Sequence, residues 1–200
     1  MRLFPTPVCA SSVNRLKRKR KLAGNKLKRL FWPALVIVVV VIFDQVTKIW
    51  AVKTLADKGS VEVWGKFFML TLVYNQGGAL GTSIGSSNLY LIISFLVLPF
   101  LFYYLYQNYN KPLLAWPITF IAAGAIGNII DRIYLGKVID FIDIDFFDFN
   151  LFGLAVERWW TFNVADAAIS CGIVFLIIVG FIPARWVNPA QISDSEKNNI

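Results

Sequence analysis

The chain has 200 residues, of which 57% are hydrophobic and only 16% charged. Since about a quarter of the residues in a typical soluble domain are charged, this composition argues against a soluble protein. The chain contains no histidine and two cysteines, Cys9 and Cys171, which lie in unrelated segments. Histidine-based triads, Cys–His chemistry and the usual zinc-binding spacings are therefore excluded, and we expect no metal and no cofactor.

The positive charge is concentrated at the N-terminus. Residues 1–29 hold ten of the twenty Lys and Arg residues and no acid, so the remainder has ten basic and twelve acidic residues. Such a run could bind nucleic acid, but it abuts a long apolar segment, where a basic flank is ordinary membrane-topology chemistry. We therefore predict no nucleic-acid partner, and an attraction to anionic membrane lipid.

Apolar segments in chain order predict four membrane crossings, because each has nearly the length of about 20 residues that a bilayer requires. They lie at about 30–52, 89–107, 112–131 and 162–181. The first is interpreted as an uncleaved signal-anchor, since it is longer than the apolar part of a signal peptide. Between the first two, VEVWGKFFMLTLVYN is rich in β-branched and aromatic residues and predicts one or two strands.

The fold class that follows is an all-α polytopic membrane protein with four transmembrane helices and a small extracytoplasmic β-rich or loop region. We divide the chain into a basic cytoplasmic extension (1–29), a membrane domain (30–186) and a polar tail (187–200). The basic extension places the N-terminus in the cytoplasm, and four crossings return the C-terminus there. Segments 53–87 and 134–161 then lie outside.

Polar residues gather at the predicted outer ends of these segments. Asp44 and Lys48 lie one helical turn apart in the first span, and GNIIDR ends the third with Asn128, Asp131 and Arg132. FNVAD opens the fourth with Asn163 and Asp166, and NQGGALG (75–81) supplies Asn75, Gly77 and Gly78. Charges inside a membrane are costly and indicate a functional site. A structural alternative pairs Asp44 with Lys48 and Asp131 with Arg132.

Two carboxylates in a partly dry site cannot easily both ionise, so one keeps a proton while the other acts as a base. Such a pair can activate water and protonate the leaving amine of a peptide bond. The same carboxylates could instead serve a small four-span transporter of protons or cations. A purely structural membrane scaffold is a third interpretation.

In combination, DQVTK, NQGGALG, GNIIDR followed by GKVIDFID, and FNVAD resemble the successive signature blocks of the lipoprotein signal peptidase (signal peptidase II) family. The resemblance covers roughly residues 31–181. It implies a bacterial membrane aspartic peptidase that cleaves prolipoproteins before a diacylglyceryl-modified cysteine, at the outer face of the cytoplasmic membrane. The segment between the third and fourth spans is longer than is usual in the family.

The resemblance also implies residue roles. Asp140 and Asp166 match the catalytic aspartates, while Asn75, Gly77, Asn128, Arg132 and Asn163 match substrate-contacting or supporting positions. Asp44, Lys48 and Asp131 match residues that hold the site together. A physical argument agrees on Asp140: Asp131 has Arg132 beside it, and a nearby cation favours permanent ionisation. Asp140 is expected in a loop-like stretch, with Asp143, Asp145 and Asp148 forming a solvated rim.

Overall fold

The computed structural model describes residues 7–77, 86–145, 149–151, 154–156 and 161–183. Its helices are α1 (Pro7–Leu55), α2 (Ser87–Asn108), α3 (Pro112–Leu135) and α4 (Val164–Gly180). Its strands are β1 (Ser60–Trp64), β2 (Phe68–Asn75), β3 (Val138–Ile144), β4 (Phe149–Leu151) and β5 (Leu154–Val156). Gly78–Gly81 of the NQGGALG block, Asp148 and the tail from residue 187 onward lie outside the described residues.

Three helical segments are long and apolar enough to cross a membrane, so the chain is a multi-pass membrane protein. They are Leu30–Leu55, Ser87–Asn108 and Pro112–Leu135, with mean hydropathies of 2.2, 2.0 and 1.8. The fourth apolar helix, α4, has 17 residues. Helix α1 begins at Pro7, well before the apolar segment. Residue 29 therefore marks a change of composition within one continuous helix.

Helix α3 occupies the centre of the bundle. It packs against α1, α2 and α4, and 56% of its apolar window is buried, against 6% for α2. The apolar surface that α2 leaves exposed includes Phe100, Leu96 and Tyr103. Because such a surface is unfavourable in water, it suits a helix that faces lipid.

Small residues bring α3 and α4 into close contact, as the small-residue-rich end of the third apolar segment predicts. A Cβ atom built on Gly124 would overlap the carbonyl oxygen of Ala165 and come within 2.7 Å of Ile169 Cγ1. On the facing helix, a Cβ on Gly172 would approach the carbonyl oxygen of Pro117 to 2.7 Å. The backbones of α3 and α4 are thus so close at these two positions that no residue with a side chain larger than that of glycine fits there.

The strands β1, β2 and β3 form an antiparallel sheet with β2 in the middle. The prediction of strands in segment 53–87 is therefore confirmed. The expectation that Asp140 lies in a loop is wrong: it sits in β3, opposite Val73 of β2. Gly136 makes the change of direction from α3 into β3, with a φ of 68° that few other residues adopt.

The residue Phe162 joins the beginning of α4 to β3. Its N–H donates to the carbonyl oxygen of Ile142 at 2.9 Å, and its own carbonyl accepts from the N–H of Ile142 at 2.8 Å. The N–H of Phe141 approaches the same carbonyl at 3.1 Å. These bonds fix Asn163, the N-cap of α4, beside the strand that carries Asp140. The sheet therefore positions two sequence-distant segments against each other.

We predict that Gly124→Ala destabilises the protein, because the new methyl group must displace the backbone of α4. Overpacking of this kind costs about 1–3 kcal/mol. Thermal unfolding of the purified protein in detergent micelles measures the effect. Gly180→Ala is the matched control, since a Cβ there meets no atom within 4 Å. An unfolding midpoint for Gly124→Ala equal to that of the control would contradict the close approach of the helices.

Candidate active site

A buried lysine holds two carboxylates together inside the bundle. The Lys48 Nζ atom lies 2.8 Å from Asp44 Oδ2 and 2.8 Å from Asp131 Oδ2, and all three side chains are at most 3% exposed. Lys48 also donates to Asn128 Oδ1 at 3.1 Å. The predicted pairing of Asp44 with Lys48 is confirmed, whereas the predicted partner of Asp131 was wrong: the cation is Lys48 and not Arg132. The triad ties α1 to α3.

The Gln45 side chain completes this cluster. Its Nε2 donates to Asp131 Oδ1 at 3.0 Å, and contacts Asp44 Oδ2 and the Gly127 carbonyl oxygen at 3.2 Å each. A Cβ on Gly127 would come within 2.6 Å of Asp44 Oδ2, so only glycine admits the carboxylate at this point. Gln45 was not among the residues predicted to form the site. A polar amide inside an otherwise apolar span was the available signal.

The same carboxylates also fix the backbone on either side of the site. Asp44 Oδ1 accepts a hydrogen bond from the N–H of Ala165 at 2.9 Å, in the first turn of α4. Asp131 Oδ2 accepts from the N–H of Ile139 at 3.1 Å. Ile139 directly precedes Asp140. The hydrogen bond that Asp131 accepts therefore fixes the backbone one residue before the carboxylate of Asp140.

Asp140 is almost completely buried, with 1% of its surface exposed. Asn75 Nδ2 donates to its Oδ2 at 3.0 Å and Asn163 Nδ2 to its Oδ1 at 2.7 Å. Burial, followed by repulsion from Asp166, raises the pKa of Asp140 from 3.8 to about 7, although Asn75, Asn163 and the charge of Lys48 act in the opposite direction. Asp140 is therefore a carboxyl group that can keep its proton near neutral pH.

The second carboxylate, Asp166, is fixed by the first turn of α4. Its backbone N–H donates to Asn163 Oδ1 at 2.9 Å, and its own Oδ2 accepts from the N–H of Asn163 at 3.4 Å, which forms a capping box. Asn128 Nδ2 donates to Asp166 Oδ1 at 2.7 Å. Asn163 Nδ2 meanwhile reaches Asp140 Oδ1. One asparagine side chain thus bonds to both aspartates.

Asn128 connects this pair to the ion triad. Its Oδ1 accepts from Lys48 Nζ at 3.1 Å and from Asn163 Nδ2 at 3.2 Å, while its Nδ2 donates to Asp166. Asn128 is 7% exposed. These contacts occupy the amide and make it a positioning group for Asp166. They do not favour the predicted direct contact of Asn128 with substrate.

Arg132 lies at the edge of the site and reaches the segment that follows β2. Its Nη2 donates to the carbonyl oxygen of Gly77 at 3.0 Å, and its guanidinium carbon stands 5.7 Å from the centre of the Tyr90 ring. The N–H of Gly77 in turn donates to Asn75 Oδ1 at 2.8 Å. The Nε of Arg132 is buried and finds no hydrogen-bond acceptor among the described residues.

The structure brings all ten predicted site residues into one hydrogen-bonded network: Asp44, Lys48, Asn75, Gly77, Asn128, Asp131, Arg132, Asp140, Asn163 and Asp166. The expected solvated rim is wrong for Asp143, which is 5% exposed and accepts a hydrogen bond from Thr71 Oγ1 at 2.7 Å. Asp145 is partly buried.

The fold and the site together define a class of protein. A network of buried carboxylates and amides lies beside a small sheet at one end of an apolar helical bundle. This arrangement is that of a membrane protein whose polar groups are suited to acid–base chemistry. Residues 36–182 match the family described as signal peptidase (SPase) II.

Several curated relatives carry the name lipoprotein signal peptidase. The protein of Syntrophomonas wolfei is 36% identical over 78% of this chain and 95% of its own length. Those of Chlorobium phaeobacteroides (39%) and Staphylococcus aureus (37%) match 70% and 72% of this chain, and 89% and 84% of their own lengths. The chain therefore belongs to the signal peptidase II family, and it is a peptidase.

Two solved structures, each described as a bacterial membrane enzyme, share the fold. One is 37% identical with a TM-score of 0.61, and the alignment covers 74% of this chain and 85% of the other. The second is 35% identical with the same TM-score, over 74% of this chain and 92% of its own. Their similarity agrees with a multi-pass membrane enzyme.

We predict that Lys48→Met unfolds or strongly destabilises the protein, because it leaves Asp44 and Asp131 buried without their cation. Removing one partner of a buried ion pair costs about 3–5 kcal/mol. The measurement is the midpoint of thermal unfolding in micelles. Lys53→Met, at an exposed position of the same helix, should leave that midpoint unchanged. If the two variants were equally stable, the ion triad would not be holding α1 against α3.

Proposed function

We propose that this protein is an aspartic endopeptidase that removes signal peptides from diacylglyceryl-modified prolipoproteins, cleaving before the lipidated cysteine. Membership of the signal peptidase II family supports the substrate and the reaction. In this proposal Asp140 and Asp166 are the catalytic pair. The substrate's acyl chains stay in the bilayer beside the helices while its peptide bond reaches the polar network.

The observation that carries the assignment is the position of Asn163. Its Nδ2 donates to Asp140 Oδ1 at 2.7 Å and its Oδ1 accepts from the backbone of Asp166 at 2.9 Å. A single side chain therefore contacts the carboxylate of Asp140 and the backbone of Asp166. Among the described residues, neither of these two aspartates forms an ion pair, whereas Asp44 and Asp131 both pair with Lys48. An aspartate committed to a buried cation is poorly suited to exchange protons.

The two aspartates differ in exposure, and this difference suggests their roles. Asp140 is 1% exposed and has a pKa raised to about 7, whereas Asp166 is only partly buried. The more buried carboxyl keeps the proton, because burial disfavours the charged form. Asp166 is then the base that faces water, with Asn128 donating a hydrogen bond to its Oδ1. Because the pair shares one proton, one carboxyl group can act as the acid while the other acts as the base.

The proposed reaction needs only these groups and a water molecule. Asp166 takes a proton from the water as its oxygen bonds to the scissile carbonyl carbon, and Asp140 gives its proton to the carbonyl oxygen. The tetrahedral intermediate collapses when the carbon–nitrogen bond breaks. The leaving nitrogen takes the proton held by Asp166, and the hydroxyl returns its proton to Asp140. Both carboxyl groups finish as they began.

Arg132 and Asn75 are the groups that we propose to hold the substrate backbone. Among the described residues the Nε of Arg132 has no hydrogen-bond acceptor, and in this proposal it donates to a peptide carbonyl beside the pair. Leaving this buried donor unsatisfied is unfavourable, so a substrate carbonyl that accepts from it gains affinity. Asn75 already contacts Asp140, and it would place that substrate strand next to the dyad. Gly77 keeps the chain close to the guanidinium.

For the membrane topology, we propose that α4 is the fourth span. Its 17 residues are at the short end of the range of about 17–25 that crosses a bilayer. The basic extension (1–29) then places both termini in the cytoplasm and the dyad at the outer face of the cytoplasmic membrane. The division into an extension, a membrane domain (30–186) and a polar tail (187–200) belongs to the same proposal.

The transporter alternative has no support. The matched relatives are named peptidases, and the buried charged residues of the described part lie in a single cluster with the sheet. A transport path needs polar groups near the middle of the membrane and interrupted helices. A scaffold is also disfavoured, because a buried Asp140 and a partly buried Asp166 that form no ion pair among the described residues would only weaken a structural protein.

We predict that Asp140→Asn and Asp166→Asn each lower the rate of prolipoprotein cleavage by about 10²–10⁴-fold, because each removes one half of the acid–base pair. Both variants should fold, since an amide can keep a hydrogen bond and relieves charge repulsion. Cleavage of a diacylated prolipoprotein by purified enzyme is the assay. Asp57→Asn, at an exposed turn, is the matched control. Retained cleavage in either dyad variant would refute the assignment.

We predict that kcat/KM falls as pH rises through about 7, where Asp140 loses its proton. Asn75→Ala removes a donor that lowers the pKa of Asp140, so the alkaline limb should move to higher pH. The measurement is the pH profile of kcat/KM, with Glu62→Gln on the exposed strand β1 as the control. An alkaline limb that stays in place or moves to lower pH would rule out Asp140 as the acid.

A further inference from the structure

A groove lies at the end of the bundle opposite the dyad. It has a volume of about 360 Å³ and lies between the beginning of the first span and the connection from α2 to α3. Its walls include Trp32, Pro33, Tyr109, Asn110, Pro112 and Trp116. Trp32 precedes Asp44 by twelve residues on the same helix, which separates the groove from the ion triad by roughly 18 Å.

The walls of this groove match the chemistry of a membrane interface. Tryptophan and tyrosine combine an apolar ring with a polar atom, and they favour the level of the lipid headgroups. Trp32 is 59% exposed, and Asn110 is also exposed. The groove therefore offers ring faces beside polar groups at a depth where glycerol and the upper acyl chains lie.

Basic residues lie close in sequence to the walls of the groove. The helical backbone of α1 places positions 26, 28 and 29 within roughly 2–6 Å, along its axis, of Leu30. The headgroup layer on each side of a bilayer is about 5–8 Å thick, so these backbone positions, which carry Lys26, Lys28 and Arg29, lie at its level. Lys111, in the connection from α2 to α3, stands next to the groove residue Pro112.

We propose that this groove binds an anionic phospholipid of the leaflet at the basic end of α1. The rings of Trp32 and Trp116 contact its glycerol and upper acyl region, while the basic positions beside Leu30 attract its phosphate. Under the topology proposed above, this is the cytoplasmic leaflet. The site is independent of peptide cleavage, because no residue of the dyad or the ion triad contributes to it.

The position of the other basic residues distinguishes this site from a general attraction to phosphate, including that of nucleic acid. Positions 18, 19 and 20 lie roughly 15–18 Å before Leu30 along α1. This distance exceeds both the headgroup layer and the screening length of about 8 Å at physiological salt. The affinity of a groove-bound lipid should therefore depend on the charges at positions 26, 28 and 29 and not on those at positions 18, 19 and 20, although the two sets carry the same number of charges.

The test measures lipid binding to the full-length protein by native mass spectrometry from detergent micelles. Dioleoyl phosphatidylglycerol and dioleoyl phosphatidylcholine are compared, because they share acyl chains and differ in charge. We expect the anionic lipid to bind at least about fivefold more tightly. The variant Lys26→Gln/Lys28→Gln/Arg29→Gln should lose about tenfold or more of that affinity. Trp32→Ala should weaken binding of both lipids.

The matched control is Arg18→Gln/Lys19→Gln/Arg20→Gln, which removes the same charge from the far positions. It should change the affinity by less than about twofold, since these charges are screened from the headgroups. Prolipoprotein cleavage by every variant checks that it is folded. Equal binding of the two lipids, equal losses in the two triple variants, or unchanged binding in Trp32→Ala would each overturn the proposal.

Discussion

The burial of the Lys48 ammonium group between Asp44 and Asp131 is the interaction on which the rest of the structure depends. Removing a charge from water costs several kcal/mol, and the fold recovers this only if partners are placed accurately around it. Two carboxylates at 2.8 Å provide that placement. Because the carboxylates come from α1 and α3, the requirement for charge neutrality is also a requirement on how the helices pack.

The carboxylates of the triad also position the neighbouring segments. Asp44 uses its second oxygen for this contact, whereas Asp131 uses the same oxygen that contacts Lys48. Asp44 receives the N–H of Ala165, and Asp131 receives the N–H of Ile139. These contacts set the beginning of α4 and the beginning of β3, which carry Asp166 and Asp140. The structure thus separates two kinds of aspartate: Asp44 and Asp131 are neutralised by a cation, whereas Asp140 and Asp166, the pair that we propose to exchange a proton, are held by amides.

Much of this arrangement could be predicted from the sequence, because costly polar residues in apolar segments are conspicuous. All ten predicted residues join one network, and the strand content of segment 53–87 was correct. The partner of Asp131 was missed because Arg132 is adjacent in sequence, although consecutive residues on a helix do not face each other. The cation that does reach it, Lys48, lies on another helix and was assigned to Asp44 alone.

The remaining differences come from tertiary contacts that local patterns do not contain. The segment with Asp140 and Asp143 has acids three apart, which breaks the alternation expected of a half-buried strand. Pairing with β2, whose register shifts between Leu70 and Val73, nevertheless makes it a strand. Thr71, within that irregular stretch, then accommodates Asp143 in the interior. Pairing with β2, some seventy residues earlier in the chain, therefore explains both why this segment is a strand and why Asp143 is buried.

The bond from the Ile139 N–H to Asp131 has a further consequence for how the protein fails. Asp140 is only one residue beyond that bond, and Asp131 also belongs to the triad that joins α1 to α3. A small separation of these two helices would misplace the carboxyl group while each helix stayed intact. Loss of catalytic competence should therefore precede loss of helicity when a detergent loosens the bundle, so circular dichroism alone would overstate the quality of a preparation.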